Sequence, residues 1–139
     1  MKVLVTGGAG FIGSAIVRRL LDQEKAEVIN VDKLSYASDI QSLGQFSNNP
    51  HYKFYKSDIS DPLIFQSILA ETLPEAVIHC AAESHVDRSI DSPEPFIRSN
   101  IMGTYSVLEG CRRYFQGLKS LARDHFRLLH SCYRLAAGF

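Results

Sequence analysis

The chain has 139 residues, 45% of them hydrophobic and 22% charged, with a formal net charge of +0. Length and apolar content suit one globular domain with its own core, and the balanced charge gives no footing for nucleic acid or an anionic membrane surface. No apolar run approaches a membrane span. Cys80, Cys111 and Cys132 and the five histidines show no metal-ligand spacing, which points to no metal and to a reducing, cytoplasmic setting without a secretory leader.

Strand and helix patterns then alternate along the chain. Residues 2–6 read as a first strand, and Ile12, Ile16, Val17, Leu20 and Leu21 recur at helical spacing behind it. Residues 27–31 form a second strand and 38–46 a short helix, closed by Asn48, Asn49 and Pro50. A third strand is expected over 52–56. It is followed by a helix over 62–71, with Pro62 in its first turn and Asp61 as the better N-cap than Asp58. A fourth strand follows at 76–80. A long helix then runs from Pro93 to about Phe115, with Phe96, Ile97, Ile101, Tyr105 and Leu108 as its core stripe. Residues 126–130 give a fifth strand, left as an exposed edge. Such alternation predicts an α/β fold: a Rossmann-type, doubly wound parallel sheet with helices on both faces.

The first strand runs into Thr6-Gly7-Gly8-Ala9-Gly10-Phe11-Ile12-Gly13-Ser14. Gly8, Gly10 and Gly13 satisfy G-x-G-x-x-G, and Gly7, Gly10 and Gly13 satisfy G-x-x-G-x-x-G. One glycine permits the tight turn, the next the approach of a pyrophosphate, and the last the packing of helix on strand. The helix N-terminus receives the anion through free N–H groups and its dipole. Asp32 lies 19 residues after Gly13 at the end of the second strand, where such folds place an acid for the ribose hydroxyls. A carboxylate accepts from a 2′-hydroxyl and repels a 2′-phosphate, so NAD is expected over NADP, although Lys33 beside it brings a cation that suits phosphate.

Five segments carry a resemblance: Thr6–Ser14 (TGGAGFIGS), Asn30–Ser38 (NVDKLSYAS), Ser57–Ser60 (SDIS), Val77–Ser89 (VIHCAAESHVDRS) and Phe96–Leu108 (FIRSNIMGTYSVL). They resemble the extended short-chain dehydrogenase/reductases and, within them, the dTDP-glucose 4,6-dehydratase family; AAESHVDRSI separates the chain from the epimerase branch. The resemblance implies NAD as cofactor and dTDP-glucose as the substrate of a complete member. Phe11 and Ile12 would then offer backbone to the pyrophosphate. Asp32, Lys33, Leu34 and Ser35 would surround the adenosine ribose, with Ser35 for the usual Thr. Asp58 and Ile59 would meet adenine. Cys80 (for Leu), Ala81, Ala82, Glu83 and Ser84 would line the nicotinamide side, with Ser84 also touching the sugar nucleotide. Ser99 stands for a Thr that contacts the cofactor, and Asn100 opens the N-x-x-G-T run. Family members dimerise through the 93–115 helix, so a homodimer is expected there.

The family oxidises C4 of the glucose with NAD, expels water across C5 and C6, and returns the hydride to C6. The resemblance implies a Tyr-x-x-x-Lys pair for the first step and a Thr-Asp-Glu group after strand five for the elimination. Neither follows His130, where the family pattern stops at Ser131. Residues 1–130 are therefore expected to be the NAD-binding domain, 131–139 a divergent tail, and the substrate domain to be missing, as after a frameshift or truncation. Tyr52 and Lys56 do fit Tyr-x-x-x-Lys. On a strand, however, such residues lie about 13 Å apart rather than the ~6 Å of a helix, so no catalytic residue is assigned. Glu83 is read as a structural carboxylate on the cofactor side and His85 as a loop residue. Asp87 and Arg88 are equally consistent with an ion pair and a phosphate clamp. His79 and His130 are read as packed and hydrogen-bonded.

Overall fold

The structure, a computed structural model, describes residues 1–36, 38–84 and 90–130, apart from the side chains of Leu121 and His130. His85, Asp87, Arg88 and the 131–139 tail lie outside the described residues. Five strands form: β1 (Lys2–Thr6), β2 (Glu27–Asp32), β3 (Tyr52–Lys56), β4 (Ala76–His79) and β5 (Arg127–His130). They pair in parallel in the order β3-β2-β1-β4-β5. β1 and β3 have the expected ends, and β2, β4 and β5 each differ at one end by a single residue, the usual fraying of element boundaries.

The period-2 alternation of strands decides which helix covers which face. Val3, Val5 and Val28 turn toward α1 (Phe11–Asp22) and a 3-10 helix (Ile40–Phe46), meeting Val17, Leu20, Leu21, Leu43 and Phe46. Leu4, Ile29, Val31 and Val77 turn the other way, onto Phe65, Ile68 and Leu69 of α2 (Pro62–Thr72) and Val107 and Cys111 of α3 (Thr104–Gly117). β1 is buried on both faces, as expected for the centre of a parallel sheet. Asp61 caps α2 by accepting from the Leu63 and Ile64 N–H groups at 2.9 and 3.2 Å, as its position predicts. Asp58 instead accepts from the Ser60 N–H at 2.9 Å within the preceding turn. The chain order reverses at β1: β2 lies on one side and β4 on the other. In sheets of this kind, ligands bind in the crevice beyond the strand ends at that point.

The helix expected over 93–115 is three stretches joined end to end: a turn at Glu94–Phe96, a π-helical segment at Ile97–Gly103 and α3. Its expected core stripe is incorrect. Ile97, Ile101, Tyr105 and Leu108 are exposed, and the buried side is Ser99, Gly103, Ser106, Val107, Gly110 and Cys111. The cause is close approach. A Cβ on Gly110 would stand 2.8 Å from the Phe65 ring, and one on Gly103 would stand 3.0 Å from the Ile59 side chain. Small residues face the core because larger ones do not fit. A further short helix, α4 (Ser120–His125), has no counterpart in the sequence expectation. After it, Phe126 packs against Tyr114 and Phe115 with ring centroids 5.4 and 6.3 Å away. β5 pairs with β4 alone among the described residues, and Leu129 is exposed on it.

Candidate functional site

The glycine turn is built by contact with its neighbours. Gly7 has φ +69°, the left-handed region, and a Cβ there would lie 2.6 Å from the backbone of Ala81. Glycine is therefore required twice over, by conformation and by the approach of β1 to the segment after β4. A Cβ on Gly13 would overlap the Gly7 carbonyl oxygen and come within 2.8 Å of the Gly8 Cα. Gly10 precedes α1 as its N-cap and offers no side chain to the first-turn N–H groups. Those donors have no intrahelical partner. Phe11 and Ile12 project their side chains into solvent, which leaves their backbone N–H groups as what they can offer at the turn.

Asp32 closes β2 beside this turn and is 6% exposed. One carboxylate oxygen accepts from the Ala9 N–H at 2.9 Å. The other accepts from the Leu34 N–H at 2.8 Å and the Ser38 hydroxyl at 2.9 Å. The acid is thus fixed to the glycine turn, with acceptor capacity left on a group that can take about four hydrogen bonds. Leu34 sits at φ 58°, a conformation that costs a non-glycine residue ~1–2 kcal/mol; its bond to Asp32 helps to offset this.

Across the cleft, Glu83 is held at three points. Its N–H donates to the Asn100 Oδ1 at 2.8 Å, and its carbonyl accepts from the Asn100 Nδ2 at 2.9 Å. Its carboxylate, 7% exposed, meets the Lys33 ammonium at 2.9 Å. Lys33 also donates to the Ser99 hydroxyl at 2.6 Å. His79 at the end of β4 is 1% exposed and bonds through Nδ1 to Thr6 Oγ1 at 2.6 Å and through Nε2 to Thr104 Oγ1 at 3.1 Å. It is packed and hydrogen-bonded, as expected, and ties β1, β4 and α3 together. Burial raises the Asp58 pKa, but hydrogen bonds from Ser60 and the charges of Lys33 and Arg98 outweigh it, leaving the carboxyl below its usual range. Burial pushes the Cys80 thiol up to about 11, so it is a neutral wall rather than a nucleophile.

These segments enclose a cleft with roughly 530 Å³ of empty space, part of it open solvent. It is lined by Gly7, Gly10, Asp32, Lys33 and Ser35 from the segments after β1 and β2, by Asp58, Ile59 and Ser99, and by Cys80, Ala81, Ala82 and Glu83 from the segment after β4. Of the other expected site residues, Gly13 is buried under the turn. Leu34 contributes its backbone to Asp32, and Ser84 is exposed beyond the lining. Val31, Ser38 and Ser57 also line the cleft; Ser38 was missed because only the fold shows its hydroxyl bonded to Asp32. Asn100 was visible as the start of N-x-x-G-T, but not its double bond to Glu83. The Tyr52 hydroxyl takes a hydrogen bond from the Asn30 Nδ2 at 3.0 Å.

With this geometry in hand, residues 4–132 match the sequence model of the family described as GDP-mannose 4,6 dehydratase. The chain belongs to that family. A dTDP-glucose 4,6-dehydratase of Escherichia coli is 51% identical over 130 residues, which are 94% of this chain and 36% of the relative. The chain thus spans little more than a third of the length of the curated relatives it matches. A Streptomyces venezuelae dTDP-glucose 4,6-dehydratase double mutant, solved with NAD bound, matches with TM-score 0.76 and 39% identity over 82% of this chain and 36% of its own. A Thermotoga maritima UDP-glucose 4-epimerase, solved with UDP-glucose, matches with TM-score 0.76 and 34% identity over 94% and 37%. The Rossmann-type fold of the family is therefore the fold of this chain. Its glycine cradle, left open where a Cβ would intrude, and its fixed Asp32 suit the dinucleotide of such enzymes.

Proposed function

We propose that the cleft binds NAD and that these residues are the cofactor-binding part of a dTDP-glucose 4,6-dehydratase. One observation carries the cofactor reading. The Asp32 carboxylate is bonded to the Ala9 N–H of the glycine turn at 2.9 Å, which sets a ribose acceptor at a fixed position beside the pyrophosphate cradle. In this reading the Phe11, Ile12 and Gly13 N–H groups meet the pyrophosphate. Asp32, Lys33, Leu34 and Ser35 surround the adenosine ribose. Asp58 and Ile59 face adenine, and Cys80 to Ser84 with Ser99 form the nicotinamide side. NAD supplies hydride exchange when bound; the protein's part here is to hold and orient it. The substrate assignment, dTDP-glucose with Ser84 at its edge, is supported by the 51% identity to the Escherichia coli relative. The exposed row of Ile97, Ile101 and Tyr105 supports a second copy of the chain docking on that helix. No helix among the described residues is long and apolar enough to cross a membrane, in keeping with a cytoplasmic enzyme.

The Tyr-x-x-x-Lys and Thr-Asp-Glu groups of the family are not found in register within these 139 residues. Residues 1–139 taken alone are, in this reading, a NAD binder without turnover. Incubation with NAD and dTDP-glucose, followed by mass spectrometry, should show no 4-keto-6-deoxy sugar. Formation of that product would place working acid–base groups within residues 1–139.

A further inference from the structure

Glu83 and Lys33 come from opposite sides of the cleft, one after β4 and the other after β2, with β1 between them. Their ion pair at 2.9 Å is roofed by the Ser99 hydroxyl, 2.6 Å from the same ammonium. Glu83 has little freedom to let go, because both its backbone groups are held by Asn100. Two of the three ammonium donors of Lys33 are thereby committed to Glu83 and Ser99 rather than to Asp32, its neighbour in sequence. Among the described residues the cleft lining carries three carboxylates, Asp32, Asp58 and Glu83, against one ammonium.

We propose that the Glu83–Lys33–Ser99 triangle is a specificity device that makes the site reject a 2′-phosphorylated dinucleotide by sequestering the Lys33 ammonium. This rests on the NAD reading given above. Asp32 alone repels a 2′-phosphate and accepts from a 2′-hydroxyl. An adjacent free lysine would largely cancel that repulsion, since it could swing toward the phosphate. The triangle removes that option. Glu83 is a positioning residue in this scheme: it acts on ribose recognition through Lys33 and touches no reacting atom.

The test is the ratio of NADP to NAD affinity, measured by calorimetric titration of the purified protein. Glu83→Gln removes the buried charge and releases the ammonium. Removing one unit charge at such range should raise NADP affinity relative to NAD by about tenfold. Ser99→Ala removes one anchor without changing charge and should move the ratio the same way by about twofold, which keeps the test open if Glu83→Gln fails to fold. Adding Lys33→Met to Glu83→Gln should abolish the gain. The proposal is overturned if NAD still binds the variants and the ratio stays at its wild-type value. If the folded wild-type protein binds neither nucleotide, the NAD reading itself falls and takes this inference with it.

Discussion

Replacing Gly13 with alanine separates local propensity from tertiary contact. In a helix interior alanine is preferred to glycine by about 1 kcal/mol, so propensity alone predicts a more stable protein. The added Cβ would overlap the Gly7 carbonyl oxygen and approach the Gly7 carbonyl carbon and Gly8 Cα within 2.8 Å. These neighbours are backbone in the tightest part of the molecule and have no rotamer to change. Overpacking of this kind costs ~3 kcal/mol or somewhat more. The net loss is then ~2 kcal/mol, a Tm about 6–8 °C lower for a domain of this size. Because the displaced atoms belong to the proposed pyrophosphate cradle, NAD affinity should fall by at least tenfold at a temperature where the variant is folded. Gly44→Ala is the control: nothing lies within 4 Å of its Cβ, and its Tm should hold or rise slightly. Thermal unfolding by circular dichroism and NAD titration read both effects. A Gly13→Ala protein with unchanged Tm and unchanged affinity would refute the contact geometry.

Other consequences are as direct. Asn100→Ala leaves the Glu83 N–H and carbonyl without their partners, a loss of ~1–2 kcal/mol in urea unfolding, and NAD affinity should drop with it. Asp61→Ala removes the α2 cap and should cost ~1 kcal/mol while leaving NAD affinity within experimental error. The folded-state pKa of Asp58 is depressed, so its stabilisation is complete above its unfolded-state value and is lost as pH falls through the folded one. The stability gap between wild type and Asp58→Asn should therefore be widest near neutrality and close in acid below about pH 4. Cys80 and Cys111, with thiols pushed up to about 11 and about 12 by burial, should react with iodoacetamide far more slowly at pH 7.5 than a free thiol. Saturating NAD should slow Cys80 further and leave Cys111 unaffected, as peptide mass spectrometry would show.

Much of this was legible in the sequence because it is local. The five strands, α1 and the Asp61 cap follow from period-2 and period-3.6 patterns and from side chains that act within three residues of themselves. The glycine turn and Asp32 were legible because the separation of the two elements is fixed by one strand–helix–strand unit. The helix from Glu94 to Gly117 was not. Its apolar residues Ile97, Ile101 and Tyr105 recur as a core stripe would, yet they face outward. Periodicity reports which residues share a face, and it cannot say which face is turned inward when the inner one is made of glycine, serine and cysteine. The Asn100 grip on Glu83 and the reach of Lys33 across the cleft are contacts at sequence separations of 17 and 50 to 66 residues. They depend on how β2, β4 and the helix are laid side by side, which no local pattern encodes.

Calorimetric titration of the purified protein with NAD, repeated on Asp32→Ala, tests the central claim most directly. The expected result is saturable one-to-one binding by the wild type, weakened by two orders of magnitude or more in the variant, which loses both the ribose acceptor and the tie to Ala9. A folded wild-type protein that gives no heat with NAD, or an Asp32→Ala variant that binds as well as wild type, would contradict it.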